Sequence, residues 1–224
     1  MPSSRENDEF AERRQRMVDT QLRARGISHP RVLDAMLRVP RHLFVPERDV
    51  DNAYGDYPVD IGLGQTISQP YIVAFMTEAL ALPDDARVLE VGTGSGYQTA
   101  VLAEIAREIY SIERVAEHAT RAQAILETLG YTNLHVRVGD GYEGWPSAAP
   151  FDGILVAAAA EHVPHPLVEQ LAIGRRMVVP IGRWDQDLLV LTRTEDGVRE
   201  EQRLPVRFVP LVRSSGDGDR GEAH

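Results

Sequence analysis

Glu90-Val91-Gly92-Thr93-Gly94-Ser95-Gly96 decides the fold. Before it, Arg87 to Val91 is a short apolar run that reads as a strand. After it, Tyr97 to Arg107 places Val101, Leu102 and Ile105 on one helical face. A glycine-rich handover from strand to helix brings backbone close to a ligand, because glycine has no Cβ to collide with it. In an open parallel sheet, ligands sit beyond the carboxyl ends of the strands. The dinucleotide fingerprint would place its third glycine at position 97, which is Tyr97; here that glycine comes one residue early. Glu90 would also repel a pyrophosphate. A sulfonium with an ammonium group would tolerate the acid, so the spacing favours S-adenosylmethionine over a nicotinamide cofactor.

The flanking sequence alternates strand and helix. Ile109 to Ile112 is a strand, and Val115 to Leu129 is a helix closed by Gly130. Leu134, Val136 and Val138 alternate with polar residues, and Gly153 to Ala157 is a fully apolar strand. Pro166 to Leu171 is a short helix and Met177 to Ile181 a fifth strand. The alternation predicts an α/β fold with a doubly wound, mostly parallel Rossmann-like sheet. Leu188 to Thr192 and Arg199 to Leu204 flank Asp196-Gly197, a turn signal that adds a C-terminal antiparallel hairpin. Val206 to Leu211 is a last apolar stretch.

Upstream of the loop the reading is helical. Phe10 to Arg25 has helical spacing and stops at Gly26; a second helix runs from Pro30 to before Pro40; Tyr71 to Leu82 is a third. Between them, Arg41 to Pro70 lacks periodicity and is long for a passive connection, as binding loops often are. The expected organisation is an N-terminal helical and substrate-loop extension over residues 1–82, a cofactor-binding core over 83–213 and a disordered tail over 214–224, the first two forming one compact domain.

Composition narrows the classes. The chain has 224 residues and a formal net charge of −10, which disfavours polyanion binding. There is no cysteine, so thiolate catalysis, disulfides and cysteine-ligated metals are excluded. No apolar run nears the roughly 20 residues of a membrane span. Pro2 to Glu12 is polar and acidic-rich, unlike a signal peptide. A cytoplasmic monomer is expected, with no nucleic-acid or membrane partner. His162 and His165 flank Pro164 without a third ligand at useful spacing, so no metal is expected.

Two more acids fit a nucleoside cofactor. Glu113 ends the second strand, where a carboxylate can accept both ribose hydroxyls. Asp140-Gly141 ends the third, within reach of an adenine amino group. The segment Gly62 to Pro70 is rich in small, hydroxyl and amide side chains suited to a polar substrate. Ser68 before Pro70 is equally a helix-start signal.

Several stretches then carry a resemblance: Gly64-Gln65-Thr66-Ile67-Ser68-Gln69-Pro70, the run Val88 to Ala100 around the glycine loop, Tyr110-Ser111-Ile112-Glu113 and Gly139-Asp140-Gly141-Tyr142. Val39 to Pro46 and Pro205 to Leu211 extend it. Together they resemble the protein-L-isoaspartate O-methyltransferase family over roughly Met17 to Leu211. The resemblance implies methylation of the free α-carboxylate of L-isoaspartyl residues in damaged proteins, a repair reaction that uses S-adenosylmethionine and releases S-adenosyl-L-homocysteine. It implies that Ser68 is the active-site serine, and that Gln65, Thr66 and Ile67 line the site beside it, in reach of the cofactor. Glu90, Gly92, Thr93, Gly94, Glu113, Asp140 and Gly141 match cofactor contacts. Three departures stand out: Ala157 replaces a more usual Thr, Ile173-Gly174-Arg175-Arg176 replaces a Pro-Gly-Gly-Arg stretch, and Asp60, near the substrate loop, must point outward to spare an anionic substrate. A small-molecule or RNA methyltransferase, a non-catalytic binding module and a dehydrogenase are the competing readings.

Overall fold

The computed structural model describes residues 4–212; the tail expected to be disordered, 214–224, lies outside them. A seven-stranded sheet forms the centre, in the order β5-β4-β3-β6-β7-β8-β9. Its strands are β3 (Arg87–Val91), β4 (Glu108–Glu113), β5 (Leu134–Val138), β6 (Phe151–Val156), β7 (Leu171–Ile181), β8 (Gln186–Thr194) and β9 (Gly197–Val206). Strands β5, β4, β3, β6 and β7 are parallel; β8 and β9 are antiparallel. The chain winds outward from β3 to β5, then returns to β6 on the other side of β3. The loop after β3 therefore lies at the topological switch point.

Period-two alternation sorts the sheet's side chains onto two faces. Leu89, Val91, Ile112, Ile154 and Val156 pack toward Leu167 of α6 (His165–Gln170). Val88, Ile109, Leu155 and Val178 pack toward Met76 and Leu80 near α3 (Pro70–Ala79) and Leu102 of α4 (Tyr97–Ala103). Helix α4 ends earlier than its spacing suggests. Asn133 Nδ2 donates to the carbonyls of Ala103 and Ala106, which satisfies acceptors that a longer helix would otherwise bond itself.

The N-terminal extension is built on α1 (Ser4–Met17), which continues through a wider π-type turn and a tight 3-10 turn until Gly26, at φ +94°. It is joined by α2 (Pro30–Arg38). Val18, Leu22, Val32, Met36, Phe44 and Ile67 share one cluster with Tyr97 and Val101 of α4 and with Ala122 and Leu126 of α5 (Ala116–Thr128). The extension thus packs on the outer side of the cofactor-loop helix, with no separate core of its own.

The Arg41–Pro70 segment is more ordered than its lack of periodicity suggests. It holds two 3-10 turns, Arg41–Phe44 and Glu47–Asn52, and a hairpin of β1 (Val59–Gly62) and β2 (Gln65–Ile67). Strands this short carry too few residues for a visible period.

Candidate active site

A cavity of about 510 Å³ opens at the carboxyl ends of β3, β4 and β6. One wall is the segment from Gln65 to Gln69 with the start of α3. Another part of the lining is Pro205 to Val212. The floor is Val91 to Ser95 with Ile112 and Glu113. The volume suits a ligand of drug-like size.

The floor is held by the backbone. The Gly92 N–H donates to the Ile112 carbonyl at 2.8 Å, and the Gly96 N–H to the Thr93 carbonyl at 2.8 Å. Gly92 and Gly96 have φ of +99° and +87°, a region that side-chain-bearing residues rarely adopt. A Cβ at Gly96 would also lie 3.1 Å from the Ala122 Cβ. That glycine lets α4 seat closely on α5.

Glu113 borders this floor and is only 6% exposed. Its Oε2 accepts the Gly94 N–H at 2.8 Å and its Oε1 the Val115 N–H at 2.8 Å. Each oxygen keeps a second lone pair, so the fixed carboxylate can still accept hydroxyl donors from a ligand.

Glu90, expected as a cofactor contact, does not border the cavity. Alternation along β3 turns Val91 to the cavity side and Glu90 under α4, where it is fully buried. Its Oε2 accepts the hydroxyls of Thr99 and Ser111, each at 2.6 Å, while Oε1 has no partner. The Ser111 hydroxyl lies 2.6 Å from the Thr93 hydroxyl in turn. Burial pushes the Glu90 carboxyl up to about 7, against the two hydroxyl bonds and with a smaller push from Glu113. Its place is beneath the glycine loop.

Asp140 is likewise off the cavity wall; its Oδ1 accepts the Tyr142 N–H at 2.9 Å. Gly141, next to it, is on the wall. A Cβ there would come within 2.4 Å of Val91 Cγ1, so only glycine fits.

Ser68, Gln65, Thr66 and Ile67 all border the cavity. Gln69, not Ser68, occupies the N-cap of α3, and no side chain caps it. The Gln69 amide instead donates to Asp56. The Ser68 hydroxyl makes no hydrogen bond among the described residues, while its carbonyl accepts Arg41 Nη2 at 2.8 Å. Asp60 is exposed, accepts the Gly62 N–H and lies 3.7 Å from Arg48, so it points away from the cavity. Ala157 borders the cavity, and Ile173 to Arg176 run inside β7.

Single-residue reasoning did not single out the Pro205–Val212 wall as a site. Its signal was present, since Pro205 to Leu211 is part of the family resemblance. Arg114 and Arg207 also border the cavity, two cations at the opening of an acidic protein. His42 is packing: it stacks on Phe10 at 4.0 Å, and burial lowers its pKa to about 4.

The residues present fit a nucleoside sulfonium. A fixed carboxylate that can still accept hydroxyl donors borders the cavity, and the glycine loop offers backbone without bulk. Val91 and Ile112 supply apolar surface.

Comparison with known proteins shows the family. Residues 12–216 match the family model described as protein-L-isoaspartate(D-aspartate) O-methyltransferase. The chain is 55% identical over 214 residues to the protein-L-isoaspartate O-methyltransferase of Synechococcus sp. (strain JA-2-3B'a(2-13)), covering 92% of this chain and 88% of that one. It is 54% identical over 213 residues to that of Syntrophus aciditrophicus (strain SB), covering 93% and 98%. A solved protein-L-isoaspartate O-methyltransferase superposes with a TM-score of 0.81 at 28% identity, covering 91% of this chain and 66% of that one. A Plasmodium falciparum structure, described as a putative protein-L-isoaspartate O-methyltransferase in complex with S-adenosyl-L-homocysteine, superposes with a TM-score of 0.77 at 28% identity, covering 88% and 97%.

Proposed function

The chain belongs to the protein-L-isoaspartate(D-aspartate) O-methyltransferase family, and from that premise we propose that Ser68 orients the substrate carboxylate while Glu113 and the glycine loop hold the cofactor. The protein is an S-adenosylmethionine-dependent repair methyltransferase acting on L-isoaspartyl residues. The observation that carries the site assignment is that Ser68 and Glu113, 45 residues apart in sequence (113 − 68), border the same cavity.

A substrate carboxylate is ionised at neutral pH, so it needs no general base. When bound, S-adenosylmethionine supplies an electrophilic methyl group, whose transfer to a carboxylate oxygen leaves a neutral ester and a neutral thioether. The chain's own task is alignment and exclusion of water. The Ser68 hydroxyl donates to the carboxylate or its adjoining backbone and aims one oxygen inward. Ser68 is not a nucleophile, since no Gly-x-Ser-x-Gly elbow surrounds it. Ile67, Val91, Ile112, Val209 and Leu211 line the cavity with apolar surface and keep it dry. Arg114 and Arg207 attract an anionic peptide toward the opening. Gly92, Thr93, Gly94 and Gly141 receive the nucleoside and amino-acid portions, with Gln65, Thr66 and Ile67 closing over them.

No helix among the described residues is long and apolar enough to cross a membrane. A cytoplasmic monomer, with isoaspartyl proteins as its partners and no nucleic-acid partner, accords with that and with the charge of −10 and the lack of cysteine.

The test compares methyl transfer to an isoaspartyl peptide and to its aspartyl twin. Labelling of the first alone is expected. Equal labelling of both, or of neither, would overturn the assignment.

A further inference from the structure

Arg41 lies outside the cavity, yet it touches both of the cavity's functional segments. Its side chain is wholly buried. Nε donates to the Ala53 carbonyl at 2.6 Å and Nη2 to the Ser68 carbonyl at 2.8 Å. Nη1 is buried without an acceptor. The guanidinium carbon stands 4.8 Å from the centroid of the Tyr97 ring, and Tyr97 is the first residue of α4, directly after Gly96.

This is an odd way to fill a core. Burial lowers the Arg41 pKa only to about 10, so the group stays cationic at neutral pH. No carboxylate forms an ion pair with it among the described residues; the phenols near it, Tyr97 and Tyr54, are neutral at that pH, since burial raises both of their pKa values. Desolvating a cation without a counter-charge, and leaving one of its donors unpaired, opposes folding. An apolar side chain would occupy the space with less penalty. What an apolar side chain could not do is hold two carbonyls in a planar fork while lying against an aromatic ring.

We propose that Arg41 is a positioning residue that sets Ser68 in register with the glycine loop. Its fork fixes the Ser68 backbone, and its guanidinium carbon stands over the ring of Tyr97. Because Tyr97 starts the helix that the glycine loop feeds, the substrate segment and the cofactor segment share one rigid reference. The inference rests on the reading of Ser68 as the substrate-orienting residue. Small errors in alignment are costly for an in-line transfer, so the influence of Arg41 should be seen in turnover and not in cofactor binding.

The experiment is a double-mutant cycle with Arg41→Met, Arg41→Lys and Ser68→Ala. Turnover and KM are measured on an isoaspartyl peptide, S-adenosyl-L-homocysteine affinity by calorimetry, and folding by circular dichroism. Arg41→Met is expected to lower kcat about 10- to 100-fold while the S-adenosyl-L-homocysteine Kd stays within about threefold. Arg41→Lys, which keeps the charge and can reach one carbonyl, should restore part of the loss. In the Ser68→Ala background either Arg41 substitution should change kcat by no more than about threefold, because the two act as one unit. Losses that simply multiply would overturn the proposal, as would a loss of S-adenosyl-L-homocysteine affinity in parallel with kcat. If Arg41→Met does not fold, the Arg41→Lys arm completes the same cycle. If Ser68→Ala alone leaves turnover intact, it is the reading of Ser68 that fails, and that result is distinct from multiplying losses.

Discussion

The Gly94 N–H lies 2.8 Å from Glu113 Oε2, so the acid ending β4 is tied to the loop that leaves β3. Glu113→Gln should therefore do two things. The amide nitrogen cannot accept the Gly94 or Val115 N–H, leaving one donor unpaired at a cost of about 1–3 kcal/mol in stability. Calorimetry should also show the S-adenosyl-L-homocysteine Kd rising about tenfold or more, as a charged acceptor is lost. An unchanged Kd would remove Glu113 from the cofactor site.

Glu90 should make stability depend on pH in the unusual direction. Its folded carboxyl titrates near 7, above the ordinary value of 4.5, so the folded state binds more protons than the unfolded state between those values. Stability from this group is full below about pH 4.5 and declines as pH rises toward 7, by about 3 kcal/mol in all. Glu90→Gln should flatten the slope of denaturation midpoint against pH across that window. If the slope is the same in both proteins, the buried carboxyl is not its source.

Ser68→Ala removes a hydroxyl that makes no other hydrogen bond among the described residues. Turnover on an isoaspartyl peptide should fall by about tenfold or more, since an orienting contact is lost. S-adenosyl-L-homocysteine affinity should hold. Loss of cofactor affinity as the main effect would contradict an orienting role.

Gly141→Ala would bring a Cβ within 2.4 Å of Val91 Cγ1 and 3.2 Å of Leu211 Cδ1. Both neighbours border the cavity, so the strain is delivered to the site itself. A loss of about 1–3 kcal/mol on chemical denaturation is expected, together with weaker S-adenosyl-L-homocysteine binding. Wild-type values for both would mean that the wall yields freely there.

Much of this architecture was legible in one dimension because it is local. Strand-loop-helix alternation from Arg87 onward follows from the apolar period and the glycines, and the Asp196-Gly197 turn marked the final hairpin. The β1–β2 hairpin was not legible, since its strands have four and three residues. Strand β7 begins at Leu171, before the apolar run that suggested it, because Leu171 pairs with Phe151 of β6; the register then shifts across Ile173-Gly174 and pairing resumes at Arg176.

The sequence by itself determined the parallel α/β order, the ligand-ready glycine turn and the family, since periodicity, glycine placement and motif are properties of neighbouring residues. Tertiary structure alone decided which acid faces the cavity. Glu90 is the last residue but one of β3 and Glu113 the last of β4, but the parity of β3 turns Glu90 beneath α4, while Glu113 is drawn onto the N–H groups of Gly94 and Val115. It also decided that Pro205–Val212 lines the cavity and that Arg41 reaches both Ser68 and Tyr97. Those partners meet only after the sheet has been assembled, because burial and long-range contact have no signature in residue spacing.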